Sequence, residues 1–227
     1  MTTRATPRLA PVVTLTLLLA LVLALPPRAP AADCVVLDDF SRGKVGEFPP
    51  DWKPRKESGR PVYALAEEGP LRFLRAVSKG LGIQAARQRE WDPKEYPFLT
   101  WRWRPVQFPP GSDERQAKTN DSAASVYAVF PHSPISVKSL KYVWSRVAPV
   151  GPAPDSSGGL TKVQVLRSGP DGLREWSEEQ VNVLEDYRRR FGEAEVPKAA
   201  GISVLTDADD TRSEARGDYA SFRLCRP

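Results

Sequence analysis

A single β-sandwich with one helix inserted late is the fold this sequence predicts, and three observations predict it. Short apolar segments recur along the chain with turn-forming residues between them, and the clearest, Phe98 to Arg104, alternates apolar and polar with a period of two. No strand–helix–strand rhythm repeats. Only one stretch, starting near Ser177, carries the signature of a helix.

The first 31 residues stand apart from this domain. Arg4 and Arg8 precede Ala10 to Leu25, a run of sixteen residues that is apolar except for Thr14 and Thr16. Such a run enters a translocon as a helix, yet it is shorter than the roughly 20 residues that cross a bilayer. Pro26, Pro27 and Pro30 follow, and Ala29-Pro30-Ala31 has the small-x-small pattern of a signal-peptidase site. Residues 1–31 therefore read as a secretory signal and 32–227 as one domain, periplasmic or secreted; an uncleaved anchor is the alternative. Asp33 stands immediately before Cys34. A lipoprotein peptidase needs a small uncharged residue there, so lipidation of Cys34 is not expected.

Cleavage changes the charge. The chain carries 33 basic and 28 acidic residues, and Arg4, Arg8 and Arg28 leave with the signal, so a net of +5 becomes +2. A nearly balanced surface gives no electrostatic case for nucleic acid or for an anionic membrane, and no stable membrane insertion is expected after cleavage. About 196 residues remain, enough for one domain with a sizeable core. Its two cysteines, Cys34 and Cys225, lie at opposite ends. In an oxidising compartment they invite one disulfide joining first strand to last, with two separate thiols as the alternative.

Cys34 to Leu37 is expected as the first strand, followed by a turn-rich stretch through Gly43, Gly46 and Pro49 to Trp52. Tyr63 to Ala66 and Leu71 to Ala76 read as strands around Glu67-Glu68-Gly69-Pro70. In Phe98 to Arg104, Leu99, Trp101 and Trp103 share one face and Thr100, Arg102 and Arg104 the other, with Pro105 as the stop. Ala123 to Phe130, Lys141 to Ser145, Thr161 to Leu166 and Ala200 to Thr206 supply further strands, and Pro149 to Gly159 reads as a flexible loop. The last strand is Tyr219 to Leu224, with Ala220, Phe222 and Leu224 on one face. The helix is expected from Glu178, with Ser177 as its cap and Gln180 completing a capping box. Val181, Leu184, Tyr187 or Arg188, and Phe191 mark its stripe at helical spacing, and Gly192 ends it.

Most standard chemistries are missing. His132 is the only histidine and lies in Pro131-His132-Ser133-Pro134, away from any nucleophile elbow. A zinc site built on several histidines is excluded within one chain. Neither Gly80-Leu81-Gly82 nor Ser168-Gly169-Pro170 leads into a helix as a phosphate loop does, so no nucleotide cofactor is expected. Carboxylates offer more: Asp38 and Asp39 follow the first strand, and Asp207 and Asp209 follow an apolar one. Such clusters are weak candidates for calcium, although the spacing of an EF-hand loop is absent and strand-end capping is the commoner role.

Tryptophans offer another lead, because exposed indoles stack on sugar rings. Trp101 and Trp103 share the apolar face and belong in the core, which leaves Arg102 and Arg104 as the better surface candidates.

Several runs then match a known family. These are Asp38-Asp39-Phe40 with Gly46, Pro49 and Trp52; Pro97 through Arg104; Asp121; Val126-Tyr127; Tyr142 to Ser145; Trp176; Asn182-Val183; Asp186-Tyr187; Phe191-Gly192; and Thr206 to Asp209. Across essentially the whole mature chain the sequence resembles the bacterial uncharacterised-domain family numbered 3047. The resemblance implies an exported bacterial protein and assigns no activity. The opening Asp-Asp-Phe and closing Gly217-Asp218-Tyr219 are also similar to jelly-roll modules that bind carbohydrate, a fold-level analogy.

The expected fold is therefore mainly β, a jelly-roll-like β-sandwich with one late α-helix. The expected function is non-enzymatic binding of carbohydrate or another cell-envelope component. Arg102, Arg104, Asp121, Trp144, Asp186 and Asp207 are the ligand-binding candidates, and no catalytic residue or obligatory cofactor is assigned. Two rivals stand beside it: a hydrolase of envelope material using carboxylates such as Asp121, Asp186, Asp207 and Asp209, and a structural or protein-interaction module.

Overall fold

A computed structural model describes Met1, Thr2 and residues 33–227; the expected secretory signal lies outside the described residues. Residues 33–227 are mostly β, with strands gathered in two sheets. In order the elements are β1 (Cys34–Asp38), β2 (Trp52–Pro54), β3 (Tyr63–Glu68), β4 (Leu71–Lys79), β5 (Ala85–Trp91), β6 (Phe98–Gln107) and β7 (Ala124–Ser133). There follow β8 (Ser136–Ser145), β9 (Gly151–Ser156), β10 (Thr161–Ser168), β11 (Ser177–Asn182), α1 (Val183–Phe191), β12 (Ala199–Leu205) and β13 (Glu214–Cys225).

One sheet runs β11-β6-β13-β4-β3, with β1 also paired to β13. The other runs β2-β5-β12-β7-β8-β10-β9. Their inner faces meet through large aromatics, as face-to-face sheets require. Trp101 and Trp103, on β6, contact Tyr142 and Trp144, on β8, with ring centroids 5.8 and 5.9 Å apart. All four are fully buried, as the alternation of Leu99, Trp101 and Trp103 predicts. A polar tie joins the sheets as well. The Tyr219 hydroxyl, carried by β13, donates to Leu205 O at 2.8 Å and accepts from the Ser125 amide at 3.2 Å.

Cys34 and Cys225 face one another in the β1–β13 ladder and form the disulfide. First and last strands are neighbours, so the bond clasps the two ends of the domain.

The structure corrects four local expectations. Ser177–Asn182 is a strand, not the start of the helix, because it extends the first sheet by pairing with β6 from Ser177↔Trp103 to Asn182↔Phe98. The helix begins five residues later, at Val183, where Asn182 Oδ1 accepts the Glu185 amide at 3.1 Å and Gly192 closes the last turn in the left-handed region. Pro105 does not end β6: the strand continues to Gln107, with Pro105 at a register shift in the pairing to β13 and beyond the end of β11. The stretch expected as a loop before Thr161 contains β9, an edge strand whose Pro152 and Pro154 are tolerated because one side of it faces no partner.

The fourth correction concerns β13. Ser221 adopts φ +56° and the register to β6 shifts between Ala220 and Arg223, a β-bulge that breaks the period of two. Tyr219, Phe222 and Leu224 join the main core, whereas Ala220 packs on the outer face with Ala66 and Phe73.

Candidate functional site

The outer face of the first sheet holds a polar groove of about 390 Å³ lined by Arg102, Trp176, Glu178, Ser221 and Arg223. Each residue is there for a local reason. Arg102 is the outward residue between Trp101 and Trp103, and Glu178 is the outward residue opposite it on β11. Arg223 follows the Ser221 bulge, which re-aims the last turns of β13. Trp176 immediately precedes β11 and folds over the outer apolar cluster, meeting Phe73 edge-on at 5.3 Å.

Trp176 differs from the other tryptophans. Trp52, Trp91, Trp101, Trp103 and Trp144 are buried, while Trp176 is only half-buried. Two guanidinium groups lie over its ring, Arg104 at 4.6 Å and Arg102 at 5.4 Å. Their roles diverge. Arg104 is committed, with Nε 2.8 Å from Asp218 Oδ2 and Nη2 2.8 Å from Glu68 Oε2. Arg102, Arg223 and Glu178 have no ion-pair partner among the described residues, and all three open on the same groove. The face continues into a second depression of about 290 Å³ lined by Arg75, Arg104, Arg174, Arg216 and Asp218.

A second polar assembly sits where β7 begins and β12 ends. These strands pair antiparallel, Leu205 opposite Ser125, so the residues just before β7 and just after β12 must lie together. Asp121, Asp207 and Asp209 meet there, with carboxylate oxygens within 4.8 Å of one another. Asp121 also braces the following turn, accepting the Asp210 amide at 3.2 Å and the Thr211 amide at 2.7 Å. Burial pushes the Asp207 carboxyl up to about 8, despite the opposing pull of Lys141, with the neighbouring Asp209 and Asp121 carboxyls adding to the rise.

Lys141 and Glu114 are buried nearby and both line a smaller cavity of about 240 Å³ with Asn120 and Asp155. Burial works against the Lys141 charge, but Tyr127, Asp207 and Glu114 more than offset it and raise its pKa. Burial also raises the Glu114 carboxyl, against the Ser145 hydroxyl that donates to it.

The six ligand-binding candidates thus separate. Arg102 lies in the groove and Arg104 beside it, bound to Asp218. Asp121 and Asp207 belong to the acidic assembly. Trp144 is core, its indole nitrogen donating to Gly169 O at 3.1 Å, so it presents no face to a ligand. Asp186 lies in the first turn of α1, accepts the Tyr142 hydroxyl at 3.0 Å and pairs with Arg189. Of the weak metal candidates, Asp207 and Asp209 meet. Asp38 instead accepts the Trp52 indole at 2.8 Å and the Phe40 amide at 2.8 Å, and Asp39 accepts the Ser41 amide at 3.0 Å, its pKa lowered first by the Ser41 side chain and then by that amide. His132 is exposed near the end of β7.

The sequence reading missed Trp176, Glu178 and Arg223 as groove residues. Placing Glu178 in a helix hid its alternation against β6, and the bulge at Ser221 hid the register of Arg223. Glu114 and Lys141 had no local signal, because only the tertiary fold buries them.

Comparison with known proteins adds the following. No curated protein matches the sequence. Among solved structures, the chain is similar to the carbohydrate-binding module TmCBM61 in complex with β-1,4-galactotriose, at 9% identity and a TM-score of 0.37, covering 83% of this chain and 99% of that one. A family model matches residues 50–223, from just ahead of β2 into the last strand, and so takes in the groove, the acidic assembly and the helix together. On that match the chain belongs to the family described as protein of unknown function, DUF3047.

Proposed function

We propose that the protein is an exported, non-enzymatic module that binds an acidic glycan of the cell envelope in the groove beside Trp176. The observation that carries this is the grouping of one half-buried tryptophan with two guanidinium groups, Arg102 and Arg223, that form no ion pair with a described carboxylate. An indole offers a sugar ring an apolar stacking face. A guanidinium recognises a carboxylate or sulfate through two parallel hydrogen bonds, and Glu178 accepts from hydroxyls. Placing two such cations with a stacking surface selects for a sugar that carries an acid.

Export is supported by the pattern of residues 4–31 and by the Cys34–Cys225 disulfide, a bond that persists in oxidising compartments. The hydrolase reading receives less support. The carboxylates that do meet approach within 4.8 Å, closer than the roughly 5–9.5 Å that flanks a glycosidic bond, and Asp186 stands elsewhere on Tyr142.

A pulldown with soluble envelope polysaccharides, run beside a glycan array, tests the proposal. Retention on uronate- or sulfate-bearing polymers, eluted by salt, is expected. Failure to bind any such polymer at millimolar sugar contradicts it.

A further inference from the structure

The acidic assembly at the β7–β12 end has no part in the groove, and it combines two independent features. The first is convergence: Asp121, Asp207 and Asp209 offer oxygens within 4.8 Å of one another. Two oxygens each about 2.4 Å from one ion are at most about 4.8 Å apart, a limit that every pair among these three oxygens meets. The second is an unanswered buried atom. Asp207 is 6% exposed, and its Oδ1 has no hydrogen-bond partner. Buried carboxylate oxygens are normally satisfied, and a cation shared with the neighbouring Asp209 carboxylate would satisfy this one.

The backbone around the assembly is shaped to admit these oxygens. A Cβ on Gly82 would lie 2.5 Å from Asp207 Oδ1 and 2.8 Å from Asp209 Oδ1, so the two converge on the space left by the missing side chain. Asp207 is fixed in turn, its amide bonded to Ser122 O at 2.8 Å, and the next amide, Ala208, to Leu81 O at 3.1 Å. Asp209 is exposed, which leaves room for water to complete a shell. Lys141 lies on the Asp207 side and supplies one positive charge against three carboxylates.

We infer that Asp121, Asp207 and Asp209 form a calcium site that fastens the segment after β12 to the entry of β7. All ligands are hard oxygens, with no nitrogen or sulfur in the set, which favours calcium over zinc or copper. The site is separate from the glycan groove, and neither depends on the other.

The purified, disulfide-bonded protein is stripped with a chelator, dialysed and titrated with calcium chloride at constant ionic strength, following Tm and binding heat. Tm is expected to rise by at least about 3 °C at 10 mM calcium, with a Kd in the range of about 0.1–1 mM. Asp207→Asn is expected to abolish the rise. Asp209→Asn changes an exposed side chain, leaves the fold intact by circular dichroism, and weakens calcium binding at least about tenfold. A wild-type Tm that calcium does not move, or an Asp209→Asn protein that responds as the wild type does, overturns the inference. Loss of glycan binding with calcium binding retained would instead strike the function proposed for the groove.

Discussion

Arg104 and Asp218 face one another across β6 and β13 at 2.8 Å, and Asp218, with its side chain only 1% exposed, is the buried partner. Arg75 touches the same carboxylate at 3.3 Å, from a side chain that is half in solvent. Removing Arg104 therefore leaves a buried charge with only a screened partner. Arg104→Met is expected to cost about 3 kcal/mol in urea unfolding, whereas Arg102→Met, which breaks no ion pair, stays within about 0.5 kcal/mol. Equal effects would show that the two arginines do not divide into a structural and a free one.

The Cys34–Cys225 bond closes nearly the whole domain, the two positions being separated by 191 in sequence. In the chain-entropy account such a closure contributes up to about 5 kcal/mol, and measured losses run at about 2–5 kcal/mol. The Cys34→Ser/Cys225→Ser protein is expected to unfold at clearly lower urea with an altered m-value, since the unfolded chain is then unconstrained. An unchanged midpoint would contradict the clasp.

Glu114 provides a pH test. Burial raises its folded pKa, so the folded protein keeps a proton that the unfolded chain releases near the ordinary value of 4.5. Its contribution to stability is full below that value and is lost as pH rises through the folded pKa. Glu114→Gln removes this dependence. Relative to wild type, the variant is expected to gain stability progressively as pH rises above 4.5 in urea unfolding; a difference that does not change with pH would contradict it.

Asn182 caps α1 through its side-chain oxygen. Asn182→Ala is expected to cost about 1 kcal/mol, and Ser177→Ala, on a strand, much less. The reverse order would restore the helix start expected from the sequence.

That contrast explains what the sequence could reveal. Alternation marks Trp101 and Trp103 as core because both faces of β6 see different environments, and Gly192 marks a helix end because a left-handed residue is needed there. Ser177-x-x-Gln180 satisfies a capping pattern equally well, but the unpaired edge of β6 offers this segment a full ladder of hydrogen bonds, and tertiary pairing wins. β5 was invisible for a related reason. Its central residues, Arg87 to Glu90, are polar, and it is a strand because β12 and β2 pair with it, not because it is apolar. The site was legible in halves: Arg102 follows from alternation alone, whereas Trp176 and Arg223 reach it only through a loop and a bulge.

The most direct test is isothermal titration of a uronic-acid oligosaccharide into the disulfide-bonded protein, with its neutral counterpart as control. Wild type is expected to bind the acidic sugar and not the neutral one, and Arg102→Met and Trp176→Ala to weaken binding at least about tenfold, or 1.4 kcal/mol. Arg102→Met is the decisive variant, since its fold is expected to be intact. Equal affinity for both sugars, or binding that survives Arg102→Met and Trp176→Ala unchanged, would contradict the groove as the place where this protein meets its ligand.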